Sequence, residues 1–186
     1  MKGLAFCLDP DGYWVELVRR EPGRFDAASE RYNLSQTMIR IKDPEASVPF
    51  YRDLFGMKQL SHRVFSDFDL ISICSSAAEA DATTTEVAAM KLLWDPCLEL
   101  TFNHGTDVEE GASYHNGSDP MHAGAAAPQG FAKLGYLVDD LETFVTALQE
   151  AGVVVEWKAS EGSARVRDPT GYVIDIVQRG TGPTVV

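Results

Sequence analysis

Ten short segments of this chain have either apolar runs or an alternation of apolar and polar residues, and both patterns predict β-strands. The predicted strands cover residues 3–8, 13–18, 37–42, 57–65, 68–75, 97–103, 132–138, 153–158, 163–167 and 172–177. Two other segments place apolar residues three and four positions apart, which predicts amphipathic helices. Each helix is predicted to begin at an aspartate N-cap, Asp43 or Asp140, and to end at a glycine, Gly56 or Gly152.

The sequence also contains an internal repeat. The pattern D-P-x-G-Y, followed by an alternating strand with one carboxylate, stands at residues 9–18 and again at residues 168–177. Gln36 and Lys133 each stand seven residues before a predicted helix N-cap. Self-similarity of this kind indicates a fold built from copies of one unit. A generic α+β domain with unrelated hairpins is the alternative interpretation.

The order of predicted elements divides the chain into three regions. Residues 35–180 are predicted to form one domain of the α+β class, made of paired βαβββ modules at residues 35–105 and 130–180. Residues 1–20 are predicted to be the C-terminal β-hairpin of a preceding module whose beginning is missing. The charged segment at residues 21–34 contains Pro and Gly and is predicted to be a linker.

Composition narrows the range of functions. A chain of 186 residues can bury a core, and its formal net charge of −12 disfavours nucleic acid or an anionic membrane surface as a partner. The sequence has no run of about 20 apolar residues, and its first residues make a poor secretory signal. The three cysteines are scattered and odd in number, which favours reduced thiols. We therefore expect a soluble, cytoplasmic protein.

Three polar side chains stand at the strand positions that recur in the repeat: Glu16, Gln36 and Glu99. Each carboxylate has apolar neighbours, and a carboxylate on the inner face of a sheet is costly unless it is paired or bound to a metal. Two carboxylates and an amide oxygen suit a divalent cation that prefers oxygen ligands. The alternative is that each carboxylate lies on the solvent face of its strand and forms a surface ion pair.

Several motifs resemble eukaryotic glyoxalase I, the lactoylglutathione lyase family. The resemblance covers nearly the whole chain, and the arrangement is similar to two-domain, fused glyoxalases whose first domain is reduced to its last hairpin. The segments that carry the resemblance are KGLAF at residues 2–6, the repeat at residues 9–17, SQTMIRIKDP at residues 35–44, FY at residues 50–51, GM at residues 56–57, LELTFNHGT at residues 98–106 and SYHNG at residues 113–117.

The resemblance implies a vicinal oxygen chelate fold of paired βαβββ modules with one divalent metal ion, zinc or nickel. It implies that Gln36, Glu99 and Glu16 are metal ligands and that Glu16 is also the catalytic base. Arg40 and Asn103 match positions that hold glutathione, which is part of the substrate. The implied reaction isomerises the glutathione hemithioacetal of methylglyoxal to S-lactoylglutathione by metal-assisted proton transfer through an enediolate, a step of methylglyoxal detoxification.

Two positions depart from the pattern of that family. A histidine is expected within residues 130–135, GFAKLG, where Lys133 stands, and the matching glutamate is replaced by Asp175. Because an ammonium group repels a divalent cation, we expect Lys133 and Asp175 to form a degenerate second site that binds no metal. The histidine that would complete the site of Glu16 would lie upstream of Met1.

Two other functions stay open at this point. A non-catalytic or degenerate fragment would bind glutathione conjugates or a partner domain, and extradiol dioxygenases share the fold, although Gln36 in the first position argues against them. The loop residues His104, His115 and His122 are weak candidates for the missing ligand. The expected partner is a small-molecule substrate, with no nucleic acid and no membrane. A homodimer or a missing N-terminal domain is expected to complete the interface.

Overall fold

The computed structural model describes residues 4–10, 12–18, 36–75, 97–111, 114, 133–158 and 162–180. The predicted linker at residues 21–34 lies outside these residues and stays a prediction. In chain order the described elements are β1 (Leu4–Leu8), β2 (Trp14–Val18), β3 (Gln36–Ile41), α1 (Pro44–Pro49), a π turn (Phe50–Leu54), β4 (Lys58–Val64), β5 (Phe68–Cys74), β6 (Cys97–Asn103), a 3₁₀ turn (Thr106–Val108), β7 (Leu134–Val138), α2 (Leu141–Glu150), β8 (Glu156–Lys158), β9 (Ser163–Arg167) and β10 (Val173–Gln178).

Two four-stranded mixed sheets share one topology. The strand order is β3-β6-β5-β4 in the first sheet and β7-β10-β9-β8 in the second. In each sheet the first strand of the module runs parallel to the fourth, and the other neighbours are antiparallel. The order β-α-β-β-β therefore occurs twice, as predicted. Strands β1 and β2 form a separate antiparallel hairpin.

The register of the two sheets also matches. In each sheet the central strand carries a carboxylate, and each neighbouring strand places a residue at the equivalent position beside it. Glu99 matches Asp175 on the central strand, and on its two neighbours Ser72 matches Arg165 and Met38 matches Gly135. Gln36 and Lys133 also match, because each stands two residues before Met38 or Gly135. The repeat in the sequence thus corresponds to superimposable positions in the fold, so differences between the copies can be compared directly.

One hydrophobic core joins the two modules. Buried isoleucines of the first sheet and of the second sheet belong to the same cluster of contacting side chains. Phe55 makes the link, because its ring centroid lies 4.7 Å from that of Tyr136 and 5.4 Å from that of Phe144. Edge-to-face aromatic pairs of this kind stabilise a core beyond the area that they bury. The faces of the two sheets that do not contribute to this core are available for a functional site.

The second D-P-x-G-Y turn fastens the two modules together. The buried Asp168 accepts a hydrogen bond from the Tyr51 hydroxyl at 2.8 Å and further bonds from the backbone N–H groups of Thr170 and Tyr172. Thr170 Oγ1 in turn accepts a bond from the backbone N–H of Lys42 at 3.2 Å. Burial raises the pKa of Asp168, while these hydrogen bonds act in the opposite direction. A carboxylate without such partners would be costly at this depth.

The first helical segment differs from the prediction. Asp43 is the N-cap, as predicted, and its Oδ1 accepts from the backbone N–H of Glu45 at 2.8 Å. The α-helix ends at Pro49, since proline supplies no N–H for the helical ladder, and a π turn follows. That turn buries Phe50 beside Tyr51. In the described residues, neither α-helix is long and apolar enough to cross a lipid bilayer.

The strand predicted at residues 153–158 is shorter in the structure, where β8 begins at Glu156. The backbone N–H of Val153 donates to the carbonyl of Leu148 at 2.9 Å and so closes the C-terminal turn of α2. Because this N–H bonds to the helix, Val153 does not pair with β9, and β8 begins later in the chain.

The N-terminal hairpin is less buried than its apolar sequence predicts. The exposed fractions of Trp14, Val15 and Leu17 are 71%, 40% and 52%. Within the described residues no second layer covers these side chains. The alternation of residues on β2 therefore does not separate a buried face from an exposed face. Glu16, on the same strand, is half-buried because it faces the first sheet.

Candidate active site

Glu99 lies on β6, in the interior of the first sheet, and only 7% of its surface is exposed. Its side chain shares one face of the sheet with those of Gln36, Thr101 and Asn103, because alternate residues of a strand point the same way and β3 pairs with β6 in register. The opposite face of the sheet carries the isoleucines of the core. The alternative prediction, that Glu99 is a solvent-exposed carboxylate, is therefore wrong.

Gln36 brings two carboxylates from separate parts of the chain together. Its Nε2 donates to Glu16 Oε2 on the hairpin and to Glu99 Oε2 on β6, each at 3.3 Å. Glu16 and Glu99 are 83 positions apart in the sequence numbering, and the amide between them defines a single small site. Sequence analysis selected these three residues, and the structure places them in contact.

The electrostatics of this site are dominated by negative charge. Burial raises the pKa of Glu99, and the nearby charge of Glu16 raises it further. The guanidinium of Arg63, whose Nη2 lies 3.9 Å from Glu99 Oε2, and the hydrogen bond from Gln36 act in the opposite direction without cancelling the shift. Two carboxylates held this close favour either a shared proton or a bound cation.

The donor set fits a divalent cation with oxygen ligands. Gln36 Oε1 is buried and has no hydrogen-bond partner among the described residues. Since Nε2 is the atom that faces the two carboxylates, the amide would turn over to offer this oxygen to a cation beside them. Hard cations prefer such carboxylate and carbonyl oxygens. Among the described residues no group of three His, Cys, Asp or Glu side chains converges as a metal site by itself, so the amide of Gln36 is needed to complete a set of three.

His104 does not supply a further ligand to this site. Its Nε2 pairs with Asp69 Oδ1 at 2.8 Å, and His62 pairs with Asp69 Oδ2 at the same distance. Burial by itself would raise the pKa of Asp69, but the hydrogen bonds from the two imidazoles hold it below its usual range. Asp69 alternates with Leu70 and so lies on the opposite face of the sheet from Glu99. His115 and His122 lie outside the described residues.

Arg40 and Asn103 lie together at one end of the same face. Arg40 Nη1 donates to Asn103 Oδ1 at 3.0 Å. Both residues line an open cavity of about 450 Å³, together with Asp67, Phe68 and Thr101. A guanidinium that is held in place by a neighbour can meet a carboxylate with two parallel hydrogen bonds. The cavity thus offers an anion-binding end beside the carboxylate pair.

The matching position in the second module has the opposite character. Asp175 accepts a bond from Lys133 Nζ at 2.5 Å, and Arg165 donates to both of its oxygens, at 2.6 and 3.0 Å. The hydrogen bonds from Arg165, followed by those from Lys133, lower the pKa of Asp175 to about 2 against the opposing effect of burial. The two basic groups occupy the space where a cation would otherwise lie.

Sequence analysis missed Arg63 and Thr101, which also belong to the first site. Arg63 stands opposite Leu70 on β5, and Thr101 stands opposite the same residue from β6, so the three side chains form one row across the sheet. The Nε of Arg63 and the Oγ1 of Thr101 are buried without a hydrogen-bond partner among the described residues. The alternation of Ser61 and Arg63 on β4 was the available signal, but it does not specify which face meets the site.

The sequence matches the Glyoxalase/Bleomycin resistance protein/Dioxygenase superfamily over residues 33–176. The chain belongs to this superfamily. It is 30% identical over 190 residues to the Glyoxalase I of Saccharomyces cerevisiae, an alignment that covers 96% of this chain and 54% of the yeast protein. It is also 30% identical to the lactoylglutathione lyase of Pseudomonas aeruginosa, over 82% of this chain and 86% of that protein.

Among solved structures, the glyoxalase I of Zea mays superimposes with a TM-score of 0.62 at 23% identity, over 96% of this chain and 54% of the maize chain. That likeness supports the glyoxalase fold and confirms the predicted α+β class of paired βαβββ modules. The chain spans about half the length of the two fungal relatives that it matches. The predicted resemblance to glyoxalase I is confirmed at the level of the family.

Proposed function

We propose that this glyoxalase-superfamily chain is the part of a lactoylglutathione lyase that carries one working site. The proposal rests above all on the contact of Gln36 with both Glu16 and Glu99, which joins the hairpin and the first module at one oxygen-rich point. Relatives named Glyoxalase I and lactoylglutathione lyase support the same reaction. The proposed substrate is the hemithioacetal of glutathione and methylglyoxal, and the proposed setting is cytoplasmic methylglyoxal detoxification.

Glu16 is the proposed catalytic base. Isomerisation of a hemithioacetal to a thioester breaks the C–H bond next to sulfur and forms a new C–H bond on the adjacent carbon. One proton therefore moves from carbon to carbon, the hydroxyl proton moves from one oxygen to the other, and no electrons are exchanged with a cofactor. A carboxylate within reach of both carbons can accept the proton and return it. Glu16 suits this role better than Glu99 because its side chain is half-buried, whereas that of Glu99 is buried.

Gln36, Glu99 and Glu16 are the proposed ligands of one divalent ion, zinc or nickel. When bound, such an ion supplies Lewis-acid stabilisation of the negative charge that develops on the substrate oxygens. Glu99 is held in place by the interior strand β6 and by its contacts with Gln36 and Arg63. Burial and the nearby charge of Glu16 raise the pKa of Glu99, and a bound cation would offset both effects.

Arg40 and Asn103 are proposed to hold the glutathione portion. Their hydrogen bond fixes the guanidinium over the open cavity, where a terminal carboxylate of the tripeptide would meet it. Lys133 and Asp175, by contrast, are proposed to form a degenerate site, since their ion pair with Arg165 leaves no oxygen set for a cation.

The second candidate function is binding of glutathione conjugates without turnover. The observation that favours it is Arg63, which places a permanent positive charge 3.9 Å from Glu99 and so competes with a metal ion. In this alternative the chain recognises the tripeptide through Arg40 and Asn103 and moves no proton.

The test uses the full chain loaded with nickel or zinc. We expect retained metal, formation of S-lactoylglutathione from the hemithioacetal, and binding of S-hexylglutathione. Glu16→Gln should remove turnover while it leaves binding of S-hexylglutathione within a few-fold of the original affinity. Asp175→Asn is the matched control and should leave turnover unchanged.

Two other outcomes would separate the candidates. A chain that binds S-hexylglutathione but retains no metal and produces no thioester supports the binding function. A chain that binds neither the metal nor the conjugate contradicts both proposals. The division into a hairpin at residues 1–20, a linker at residues 21–34 and a domain at residues 35–180 is proposed as well, and limited proteolysis followed by mass mapping would test it.

A further inference from the structure

Cys74 and Cys97 stand directly opposite each other on the neighbouring strands β5 and β6. Cys74 is the last residue of β5 and Cys97 is the first residue of β6, so residues 75–96 connect them. Both are thiols in the structure, and their exposed fractions are 0% and 5%. The third cysteine, Cys7, lies exposed on the hairpin and takes no part in this pair.

The hydrogen-bond pattern of the ladder shows how close the pair stands. At the far end of the two strands, the backbone N–H of His104 donates to the carbonyl of Asp67 at 3.0 Å. Hydrogen-bonded and non-hydrogen-bonded pairs alternate along an antiparallel ladder, and Cys74 and Cys97 are the seventh pair from that bond. They therefore form a non-hydrogen-bonded pair, in which the Cα atoms lie about 4.5 Å apart and the side chains come closest.

That spacing satisfies the geometric requirement of a disulfide. Bridged cysteines have Cα atoms about 4.4–6.8 Å apart and Cβ atoms on the same side. Cys74 and Cys97 meet the second condition as well, because paired residues of an antiparallel ladder point to one face of the sheet. The register of β5 and β6 therefore suits a bridge between the two sulfurs.

We propose that Cys74 and Cys97 form a reversible intramolecular disulfide, with glutathione disulfide as the oxidant. Because both thiols are buried, the exchange requires local opening at the ends of β5 and β6. The thiolate of one cysteine then attacks the disulfide, forms a mixed disulfide with glutathione and releases one glutathione thiolate. The second cysteine then attacks the protein sulfur of the mixed disulfide and releases the second glutathione. The two cysteines lose two protons and two electrons, and one glutathione disulfide becomes two glutathione molecules.

The position of the pair connects it to the carboxylate site. Cys97 lies beside Gln36 in the register of β3 and β6, and Glu99 is the next residue of β6 on the same face. A bridge at Cys97 fixes the end of the sheet that presents Gln36. Oxidation state thus acts on the strand that holds Glu99 and on the position that pairs with Gln36, which makes the cysteine pair a redox-sensitive element of the site.

The experiment uses the full chain with Cys7→Ser, which removes the exposed thiol. After incubation with glutathione disulfide, the protein is unfolded, alkylated and digested, and the peptides are weighed. We expect the peptides of Cys74 and Cys97 to be joined, with a mass lower by two hydrogen atoms, and to separate on addition of dithiothreitol. We also expect a higher Tm for the oxidised protein, because the bridge closes the loop of residues 75–96.

The control adds Cys97→Ser to Cys7→Ser and should show no joined peptides and no rise in Tm; Cys74→Ser replaces it if that protein does not fold. Complete alkylation of both thiols after incubation would overturn the proposal, as would glutathione that stays attached to either cysteine. Because the readout is a mass, the result does not depend on whether the chain binds a metal or turns over the hemithioacetal.

Discussion

Glu99 and Asp175 occupy the same position in two copies of one module, each on the strand that pairs with both neighbours, yet their surroundings have opposite charge. Beside Glu99 stand the amide of Gln36, a second carboxylate and Ser72. Beside Asp175 stand the ammonium of Lys133 and the guanidinium of Arg165. The pKa of Glu99 is raised, whereas that of Asp175 is lowered to about 2.

The comparison teaches that one fold position can serve either binding or stability. A buried carboxylate without a cation stores unfavourable free energy that a ligand can release, and such groups are typical of functional sites. The same carboxylate between two basic groups is satisfied and offers nothing to a ligand. The deeper burial of Glu99, the nearby charge of Glu16, and the neutral residues Gln36 and Ser72 at the positions of Lys133 and Arg165 together account for this difference.

The largest expected effect is the loss of metal binding in Glu99→Gln. We expect the affinity for nickel to fall by at least about a hundredfold, beyond the 10- to 100-fold that is typical of an outer-shell partner, because a direct ligand is removed. Asp175→Asn should leave the affinity unchanged. Isothermal titration with nickel measures both, and equal losses in the two variants would contradict the functional difference between the sites.

The second effect concerns the free energy of unfolding. Asp175→Asn leaves Lys133 and Arg165 without a counter-charge at a half-buried position, so we expect it to lower stability by about 1–2 kcal/mol. Glu99→Gln removes a carboxylate that is repelled by Glu16 and should be neutral or stabilising in the metal-free protein. Urea unfolding in the presence of a chelator measures both free energies. A strongly destabilised Glu99→Gln protein would contradict the expected difference between the two substitutions.

The contributions of Glu99 and Asp175 to the free energy of unfolding should change with pH in opposite directions. The pKa of Glu99 is raised by folding, so its contribution to stability is present at low pH and is lost as the pH rises from the ordinary glutamate range through the raised value. The pKa of Asp175 is lowered to about 2, so its contribution is present above the ordinary aspartate range and is lost as the pH falls toward 2. Urea unfolding of the two variants and of the original chain, at intervals of about one pH unit between pH 2 and 7, tests these two directions.

The smallest effect is expected from Arg63→Gln. Removal of the guanidinium should raise the pKa of Glu99 further, because Arg63 is one of the groups that oppose the shift. The change in stability should stay below about 1 kcal/mol, since the side chain is about a third exposed and solvent screens it. Carboxyl-carbon NMR titration measures the pKa of Glu99. Arg179→Gln, which removes an exposed ion pair with Asp139, is the matched control and should not move it.

Much of the fold followed from local chemistry. The N-caps at Asp43 and Asp140 and most strand boundaries depend on neighbouring residues alone, so they could be predicted within one or two positions. The π turn after Pro49 and the short β8 could not, because each depends on which backbone groups find acceptors in the assembled fold. The exposure of Trp14 could not be predicted either, since alternation specifies a face but not what covers it.

The residues of the candidate site likewise divide into those that the sequence predicts and those that it does not. The repeat identified Glu16, Gln36, Glu99, Lys133 and Asp175 because equivalent positions are visible as equal spacing. Arg63 and Arg165 were missed, and both act through cross-strand neighbours that are distant in sequence. Pairing register brings such residues together, and register is a property of the whole sheet.

By itself, the sequence determined that this protein is built from copies of one module and which polar residues stand at the repeated positions. Only the tertiary structure decided their chemical state. Glu99 and Asp175 have similar apolar neighbours along the chain, but their pKa values differ in direction. Burial and the charge of Glu16 raise the pKa of Glu99, whereas hydrogen bonds from Arg165 and Lys133 outweigh burial at Asp175. The proximity of these groups is set by packing, which no single segment specifies.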